Sequence, residues 1–234
     1  VESFNYYRKY LNKKIVKIGS GEITNYGLLK EISKTNISVI LSTGMSFLEE
    51  IKKALIILKN NKVTLLHCTS EYPTKYDNVN LNSMLTLKKV FNTNIGLSDH
   101  TIDSLASISA TALGAKIIEK HFTINKSLKG PDHKMSLNPK ELKDFVNKIK
   151  YTEKILGTFR KKPTKQELQM RKFARRGIVA KKKIKKGEKI SLKNIVFKRP
   201  STYIPAEKAN LIIGKKVLKN ISIDKPIKFR YLKK

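Results

Sequence analysis

GLSDHTIDSLASISATALGAKIIEKHFT, residues 96–123, is the stretch on which the fold turns. Two histidines, His100 and His121, close two apolar runs, and the segment between them is rich in Ala, Ser, Leu and Ile. The pattern reads as strand, loop, helix, strand: a strand over about Asn94–Ser98, a helix over Ser104–Leu113 and a second strand over Lys116–Phe122. A right-handed crossover makes the two strands parallel neighbours, with their C-terminal ends on one rim. Side chains alternate along a strand, so Ile117, Glu119 and His121 share one face of the second strand, and Ser98 and His100 one face of the first. Two imidazoles, a carboxylate and a hydroxyl thus converge at one end of a parallel sheet, the end where α/β barrels keep their chemistry.

Outward from that unit the alternation continues. Strands are expected at Ile15–Gly19, Ser38–Ser42 and Val63–Thr69. Helices are expected at Tyr26–Lys34, Phe47–Asn60, Asn82–Val90 and Pro139–Leu156, and over residues 1–13 with apolar positions at Phe4, Tyr7 and Leu11. Asn138 as N-cap, Pro139 at the first helical position and Gly157 past the end frame the last of these. Five strands alternating with helices specify an α/β fold with a parallel sheet over residues 1–156. Residues 157–176, GTFRKKPTKQELQMRKFARR, are charged, lack apolar periodicity and carry Pro163; they read as a linker. Residues 177–234 hold short β-prone runs at Gly177–Ala180, Ile195–Lys198, Lys215–Val217 and Lys228–Tyr231, punctuated by turn signals at Lys186-Gly187 and Asp224-Lys225-Pro226. They form a small β-rich domain with 18 Lys and Arg against 3 acidic residues.

Fifty Lys and Arg against 18 Asp and Glu give the 234 residues a formal net charge of +32. The lysines are spread along the chain and no nucleic-acid motif accompanies them. The charge is therefore read as a solvated surface whose field draws in anionic substrates, not as a nucleic-acid interface. A single cysteine, Cys68, excludes an intrachain disulfide framework and fits a reducing compartment. No apolar run reaches membrane-spanning length and no signal-peptide pattern opens the chain, so the expectation is a cytoplasmic protein with no membrane partner.

Every strand ends in polar residues: Lys17-Ile18-Gly19-Ser20-Gly21-Glu22, Ser42-Thr43-Gly44, His67-Cys68-Thr69-Ser70-Glu71-Tyr72, Ser98-Asp99-His100-Thr101 and Glu119-Lys120-His121-Phe122-Thr123. Five such termini in succession on one rim mark a ligand site. Glycines after the first strand either make a tight βα turn or let backbone approach an anion, to which Lys17 and Ser20 would add a charge and a donor. Both cannot face inward on a regular strand, so Ser20 belongs to the loop beyond. His100 and His121 come from adjacent strands; they either share one divalent ion with open positions or serve as hydrogen-bonded structural groups. His67, inside its strand, reads as structural and Cys68 as a small buried residue. His133, after Gly130-Pro131-Asp132, receives no role.

At these residues the chain resembles the sialic acid synthase family, the phosphoenolpyruvate-dependent synthases of nine-carbon sugar acids. The matching strings are KIGSGEITNYGLL, ILSTGM, LLHCTSEYPT, IGLSDHT, IEKHFT and GPDHKMS, followed by RRGIVAKKKIKKGEKI and FKRPSTYIP, which resemble the family's antifreeze-like (SAF) β-clip domain. They run in family order from about Lys14 to the C-terminus.

The resemblance implies a partial TIM barrel, five of eight βα units, followed by the antifreeze-like domain. It also implies a reaction: C3 of phosphoenolpyruvate attacks the open-chain aldehyde of an N-acetylated amino sugar such as N-acetylmannosamine, and water at C2 leads to loss of phosphate. Lys17, Ser20, Ser42 and Ser98 would hold phosphoenolpyruvate, and donors plus a cation preorganised on that anion are suited to the task. His100 and His121 would bind Mn²⁺ or Mg²⁺, a Lewis acid on the aldehyde oxygen. Glu22 would steer water or a proton at C2, and Tyr72, Glu119 and Asp132 would line the sugar site. Arg199 would reach the sugar from the antifreeze-like domain of the partner in a domain-swapped homodimer.

Two departures accompany the match. Ser70 stands where family members commonly carry Asn. The chain also opens after the point where three further strands would precede Lys17, so it is expected to be N-terminally truncated relative to the family: a fragment, a shortened gene product or one whose missing part another chain supplies. The alternative function is an inactive remnant whose antifreeze-like domain binds carbohydrate or a partner. A Schiff-base aldolase would want a desolvated rim lysine, and Lys17 is better placed for phosphate.

Overall fold

Short runs rich in Val, Ile and Leu, bounded by turn residues, become strands, and the longer periodic runs between them become helices. A computed structural model describes residues 1–11, 14–201 and 203–233, and the chain divides into two compact units, Val1–Gly157 and Thr158–Lys234. The first unit carries α1 (Glu2–Leu11), β1 (Ile15–Ile18), α2 (Tyr26–Ser33), β2 (Ser38–Ser42), α3 (Leu48–Ile57), β3 (Val63–Cys68), α4 (Tyr76–Val79), α5 (Asn82–Phe91), β4 (Asn94–Asp99), α6 (Leu105–Ala112), β5 (Ile118–Lys120) and α7 (Pro139–Leu156). Its strands form one parallel sheet in the order β1-β2-β3-β4-β5, the arc of an α/β barrel. Residues 12 and 13 of the expected first helix lie outside the described residues.

The two faces of this sheet have different jobs. Ile18, Val39, Leu41, Leu65, Ile95 and Leu97 point to the helix side and pack with Leu29, Ile32, Ile51, Ala54, Leu58, Met84 and Leu87 into the unit's core. Each fully buried Leu or Ile there contributes about 1.5–3 kcal/mol of transfer free energy. The other face follows the register Lys17↔Ile40, Ser42↔Leu66, Cys68↔Ser98 and Ser98↔Glu119, so the residues singled out by alternation share the concave side. Gly96 is required here: a Cβ would lie 2.3 Å from the Ile117 carbonyl oxygen and 2.6 Å from Leu66 Cδ2.

Several boundaries differ from expectation. The last strand is Ile118–Lys120, not Lys116–Phe122, because its ladder with β4 begins at Leu97↔Ile118 and ends at Asp99↔Lys120. His121 therefore follows the strand. Helix α7 forms where expected; Asn138 Oδ1 accepts from Glu141 N (2.9 Å) while Glu141 Oε2 accepts from Asn138 N (2.9 Å), a capping box.

In the second unit, β6 (Gly177–Ala180) and β7 (Ile195–Lys198) pair antiparallel over a core of Ile178, Ile184, Ile190, Ile195, Ile204, Ile212, Val217, Ile221 and Ile227. Lys215–Val217 contributes isolated bridges rather than a strand, and Lys228–Tyr231 closes as a 3-10 turn, Phe229–Tyr231. Within 157–176, read as a linker, Lys165–Ala174 forms helix α8. Its start is another capping box, with Glu167 N donating to Thr164 Oγ1 and Thr164 N to Glu167 Oε2. None of its residues is buried, which is why apolar periodicity is blind to it. Among the described residues no helix is long and apolar enough to cross a membrane.

Candidate active site

The rim forms from strand ends whose alternation aims one side chain in two at the concave face. Lys17 Nζ lies 3.3 Å from Glu119 Oε1, and Ser98 Oγ donates to the same oxygen at 2.7 Å. A cation from the first strand, a hydroxyl from the fourth and a carboxylate from the fifth are thus linked across the sheet. Ser20 lies in the 3-10 turn Ser20–Glu22 after β1, and its Oγ accepts from Gly44 N at 3.0 Å. Gly44 keeps this corner open: a Cβ would sit 2.4 Å from Ser70 Oγ, 2.8 Å from Ser20 Oγ and 3.2 Å from Cys68 Sγ. Ser42 is 2 % exposed, and its hydroxyl has no hydrogen-bond partner among the described residues. A buried hydroxyl without a partner costs free energy that an arriving acceptor would return. Glu22 is exposed, and one of its oxygens accepts from Asn25 Nδ2 at 2.7 Å.

Beside these residues His100 and His121 lie edge to face, with ring centres 5.2 Å apart at 70°. Tyr72 lies over His100 at 4.1 Å and edge-on to His121 at 5.7 Å. Asp132 Oδ2 is 3.7 Å from His121 Nδ1, on a loop closed at its base by Thr123 Oγ1 against His133 Nδ1 at 2.8 Å. His100 Nδ1–H donates to the Thr69 carbonyl at 2.8 Å, while the Cys68 thiol is a distant 4.0 Å. That bond leaves Nε2 as the free lone pair. Burial pulls the His121 imidazole below its ordinary value and the nearby His100 adds to the effect, opposed by Asp132 and Glu119. Burial also pulls at His100, but Cys68 and the Thr69 carbonyl outweigh it and hold it above. Burial pushes the Cys68 thiol up; hydrogen bonds from His100, Ser20 and Ser98 reverse this and leave it below the usual thiol range.

This geometry fits a divalent ion between the imidazoles. Two imidazoles on one ion, at about 2.0–2.1 Å from nitrogen to metal, put their ring centres roughly 5 Å apart at a steep angle. Among the described residues no group of three or more His, Cys, Asp or Glu gathers to hold an ion.

The structure brings Lys17, Ser20, Ser98, Glu119, His100, His121, Tyr72 and Asp132 to one rim, with Ser42 on the same face and Glu22 in the adjoining turn. Arg199, exposed after β7, belongs to the second unit. Cys68 is buried, as expected; sequence reasoning passed over three groups: the Thr69 carbonyl and the side chains of Asp99 and Lys120. A strand-end charge such as Asp99 reads as solvent-facing, yet it is 2 % exposed. The one available signal is that its alternation puts it on the apolar, helix-side face.

Residues 3–161 match the NeuB family and residues 175–230 the SAF domain. The chain is 48% identical over 210 residues to an uncharacterized protein of Methanocaldococcus jannaschii, covering 88% of this chain and 62% of the relative. It is 47% identical over 223 residues to the N,N'-diacetyllegionaminic acid synthase of Campylobacter jejuni, covering 93% and 67%. Among solved structures, the N-acetylneuraminic acid synthetase of Leptospira borgpetersenii matches with a TM-score of 0.67 at 36% identity, over 72% of this chain and 60% of that one. The chain spans 62–67% of the length of these two curated relatives.

Proposed function

The chain belongs to the NeuB family, and from that membership we propose that it condenses phosphoenolpyruvate with an N-acetylated amino sugar, giving a sialic acid-type nine-carbon acid and inorganic phosphate. The observation that carries this reading is the Lys17–Glu119–Ser98 chain, at 3.3 and 2.7 Å, on the same rim as the edge-to-face imidazoles of His100 and His121. An anion cradle and a pair of nitrogen ligands on one rim are what an enol phosphate and an aldehyde jointly require.

In this reading Lys17, Ser20, Ser42 and Ser98 hold phosphoenolpyruvate. Lys17 and Ser98 presently satisfy Glu119, so the arriving anion takes both over and releases the Glu119 carboxylate toward the sugar hydroxyls. The Ser42 hydroxyl gains its missing acceptor. C3 of the enol attacks the aldehyde carbon, the aldehyde oxygen takes a proton, and the electron deficit moves to C2. Glu22 orients water onto C2 and accepts its proton; collapse of the resulting centre breaks the C2–O bond, leaves a ketone and expels phosphate. Tyr72 holds both rings by stacking and, at 52 % exposure, turns its free face to the sugar, which Asp132 also lines. His100 through Nε2 and His121 would hold Mn²⁺ or Mg²⁺, which supplies Lewis-acid polarisation of the aldehyde oxygen when bound.

The 47% identity to a synthase named for N,N'-diacetyllegionaminic acid favours a legionaminate-type product. We propose also that the protein works as a domain-swapped homodimer in which Arg199 reaches the sugar in the partner's barrel. The deciding experiment is phosphate release from phosphoenolpyruvate with Mn²⁺ and, side by side, the sugar precursors of N-acetylneuraminate, legionaminate and pseudaminate. Release with one sugar, lost in His121→Ala and in chelator, supports the reading. Release undiminished by chelator refutes the role of the imidazole pair, and no release with any sugar refutes the proposed reaction.

A further inference from the structure

Behind the two imidazoles, on the helix side of the sheet, lies an ion pair that the reaction does not touch. Asp99 and Lys120 are register partners on β4 and β5. Lys120 Nζ stands 3.0 Å from Asp99 Oδ2, with the two side chains 4% and 1% exposed. Asp99 is fully satisfied: Oδ1 accepts from Thr101 N at 2.8 Å and Thr101 Oγ1 at 2.8 Å, and Oδ2 accepts from Ser107 Oγ at 2.5 Å. Lys120 Nζ in turn donates to the Thr101 carbonyl and, at 3.3 Å, lies in reach of Thr101 Oγ1. His100 thus sits between two residues of this network, Asp99 and Thr101, and His121 directly follows a third.

Stability alone does not account for the arrangement. Desolvating two charges offsets most of their attraction, and a well-packed apolar pair of similar volume is commonly as stable or more so. An apolar pair is not directional. Four donors converging on one carboxylate fix the backbone of residues 99–101 and tie it to residue 120, and through them the origin of both rings.

Taking His100 and His121 as ligands of a divalent ion, as proposed above, we infer that Asp99 and Lys120 are positioning residues: a buried clamp that sets the separation and angle of the imidazole pair. The clamp keeps His100 Nδ1 on the Thr69 carbonyl, holds Nε2 free, and presents His121 at the matching distance. Its effect reaches the ion only through those rings.

The test uses the double variant Asp99→Leu/Lys120→Met, an apolar replacement expected to keep the fold, with two readouts that need no turnover. Two-bond proton–nitrogen spectra, assigned through single His→Gln variants, report ring tautomers; Mn²⁺ titration followed by electron paramagnetic resonance reports affinity. In the unaltered protein His100 should report the Nδ1–H tautomer that its 2.8 Å bond to the Thr69 carbonyl requires. In the double variant its resonances should broaden or report mixed tautomers, and Mn²⁺ affinity should fall about 10–100-fold, the usual loss when groups supporting a metal ligand are removed. Unchanged His100 and His121 resonances in a folded double variant overturn the proposal. If the double variant fails to fold, Ser107→Ala, which removes one donor from Asp99 and leaves the ion pair, should perturb the same resonances, and unchanged ones again overturn it. If His121→Ala leaves Mn²⁺ binding intact, the metal reading fails by itself, and the ring spectra still decide the clamp.

Discussion

Gly96→Ala is the sharpest test of the sheet that carries the rim. A Cβ at residue 96 falls 2.3 Å from the Ile117 carbonyl oxygen, 2.6 Å from Leu66 Cδ2 and 3.1 Å from the Ile117 carbonyl carbon. Carbon–oxygen contacts between strands settle near about 3.3–3.6 Å, so backbone around Ile117 must retreat by roughly 1 Å. That carbonyl accepts the Leu97 N–H at 3.0 Å, and the adjacent Lys116 N–H donates to Ile95 O at 2.7 Å. Overpacking of this kind costs about 1–3 kcal/mol, and loss of one buried backbone hydrogen bond about 1–3 kcal/mol more. The stiffer unfolded chain returns about 0.4–1 kcal/mol. The net expectation is a loss of about 1–6 kcal/mol, a fall of roughly 2–20 °C in Tm for a unit of this size. Gly21→Ala is the control, since a Cβ there meets nothing within 4 Å. Scanning calorimetry on both variants decides: a Gly96→Ala protein melting no lower than Gly21→Ala would refute the close β4–β5 approach, and with it the placement of His100 against His121.

Three further outcomes are expected. Ser42→Ala removes an orphan hydroxyl, so Tm should hold or rise slightly while the KM for phosphoenolpyruvate increases; an unchanged KM would remove Ser42 from the cradle. Glu119→Gln withdraws the anion that now occupies Lys17 and Ser98. Phosphoenolpyruvate should then bind more tightly, by up to roughly fivefold given the about 0.2–1 kcal/mol of partly exposed ion pairs, while kcat with the sugar falls; weaker binding in calorimetry contradicts the exchange of partners. Burial holds His67 below its ordinary value of 6.5, opposed by its bond to the Val79 carbonyl, which is 2.7 Å long. Between that lowered value and about 6.5 the unfolded chain binds the extra proton. Stability should therefore fall as pH drops through this window and level off beneath it. His67→Gln should flatten that part of the urea-midpoint curve, and equal slopes in the two proteins would assign the pH dependence elsewhere.

Much of the architecture was legible because parallel strands covered on one face by helices carry strong apolar signals. β2 and β4 were bounded to within a residue, and α7 was marked at both ends by Asn138, Pro139 and Gly157. The errors fall where local signals weaken. Among the described residues β5 is laddered only to β4 and stops when that register runs out, information held by the neighbouring strand and not by Lys116–Phe122 itself. Helix α8 buries nothing and announces itself only through Thr164 and Glu167. At Phe229–Tyr231, β-prone residues close a 3-10 turn because Val217 and Leu232 are drawn together in a bridge.

The site shows the same division more sharply. Period-two alternation was enough to put Ser98, Glu119, His100 and His121 on one side, since that follows from strand geometry alone. It could not show that Lys17 reaches Glu119 or that Asp99 reaches Lys120, because each pair joins segments about a hundred or about twenty residues apart through registers that exist only in the folded sheet. Yet alternation already separates the two pairs. Lys17 and Glu119 lie on the concave face, 31% and 40% exposed, where a ligand can exchange with their bond; Asp99 and Lys120 lie on the helix side, 1% and 4% exposed, where nothing can. Two carboxylate–ammonium pairs of similar length thus acquire opposite properties from the parity of their positions. The exposed pair is cheap to break and suited to a step in binding, and the buried pair, costly to break, is suited to holding the rings still while that step occurs.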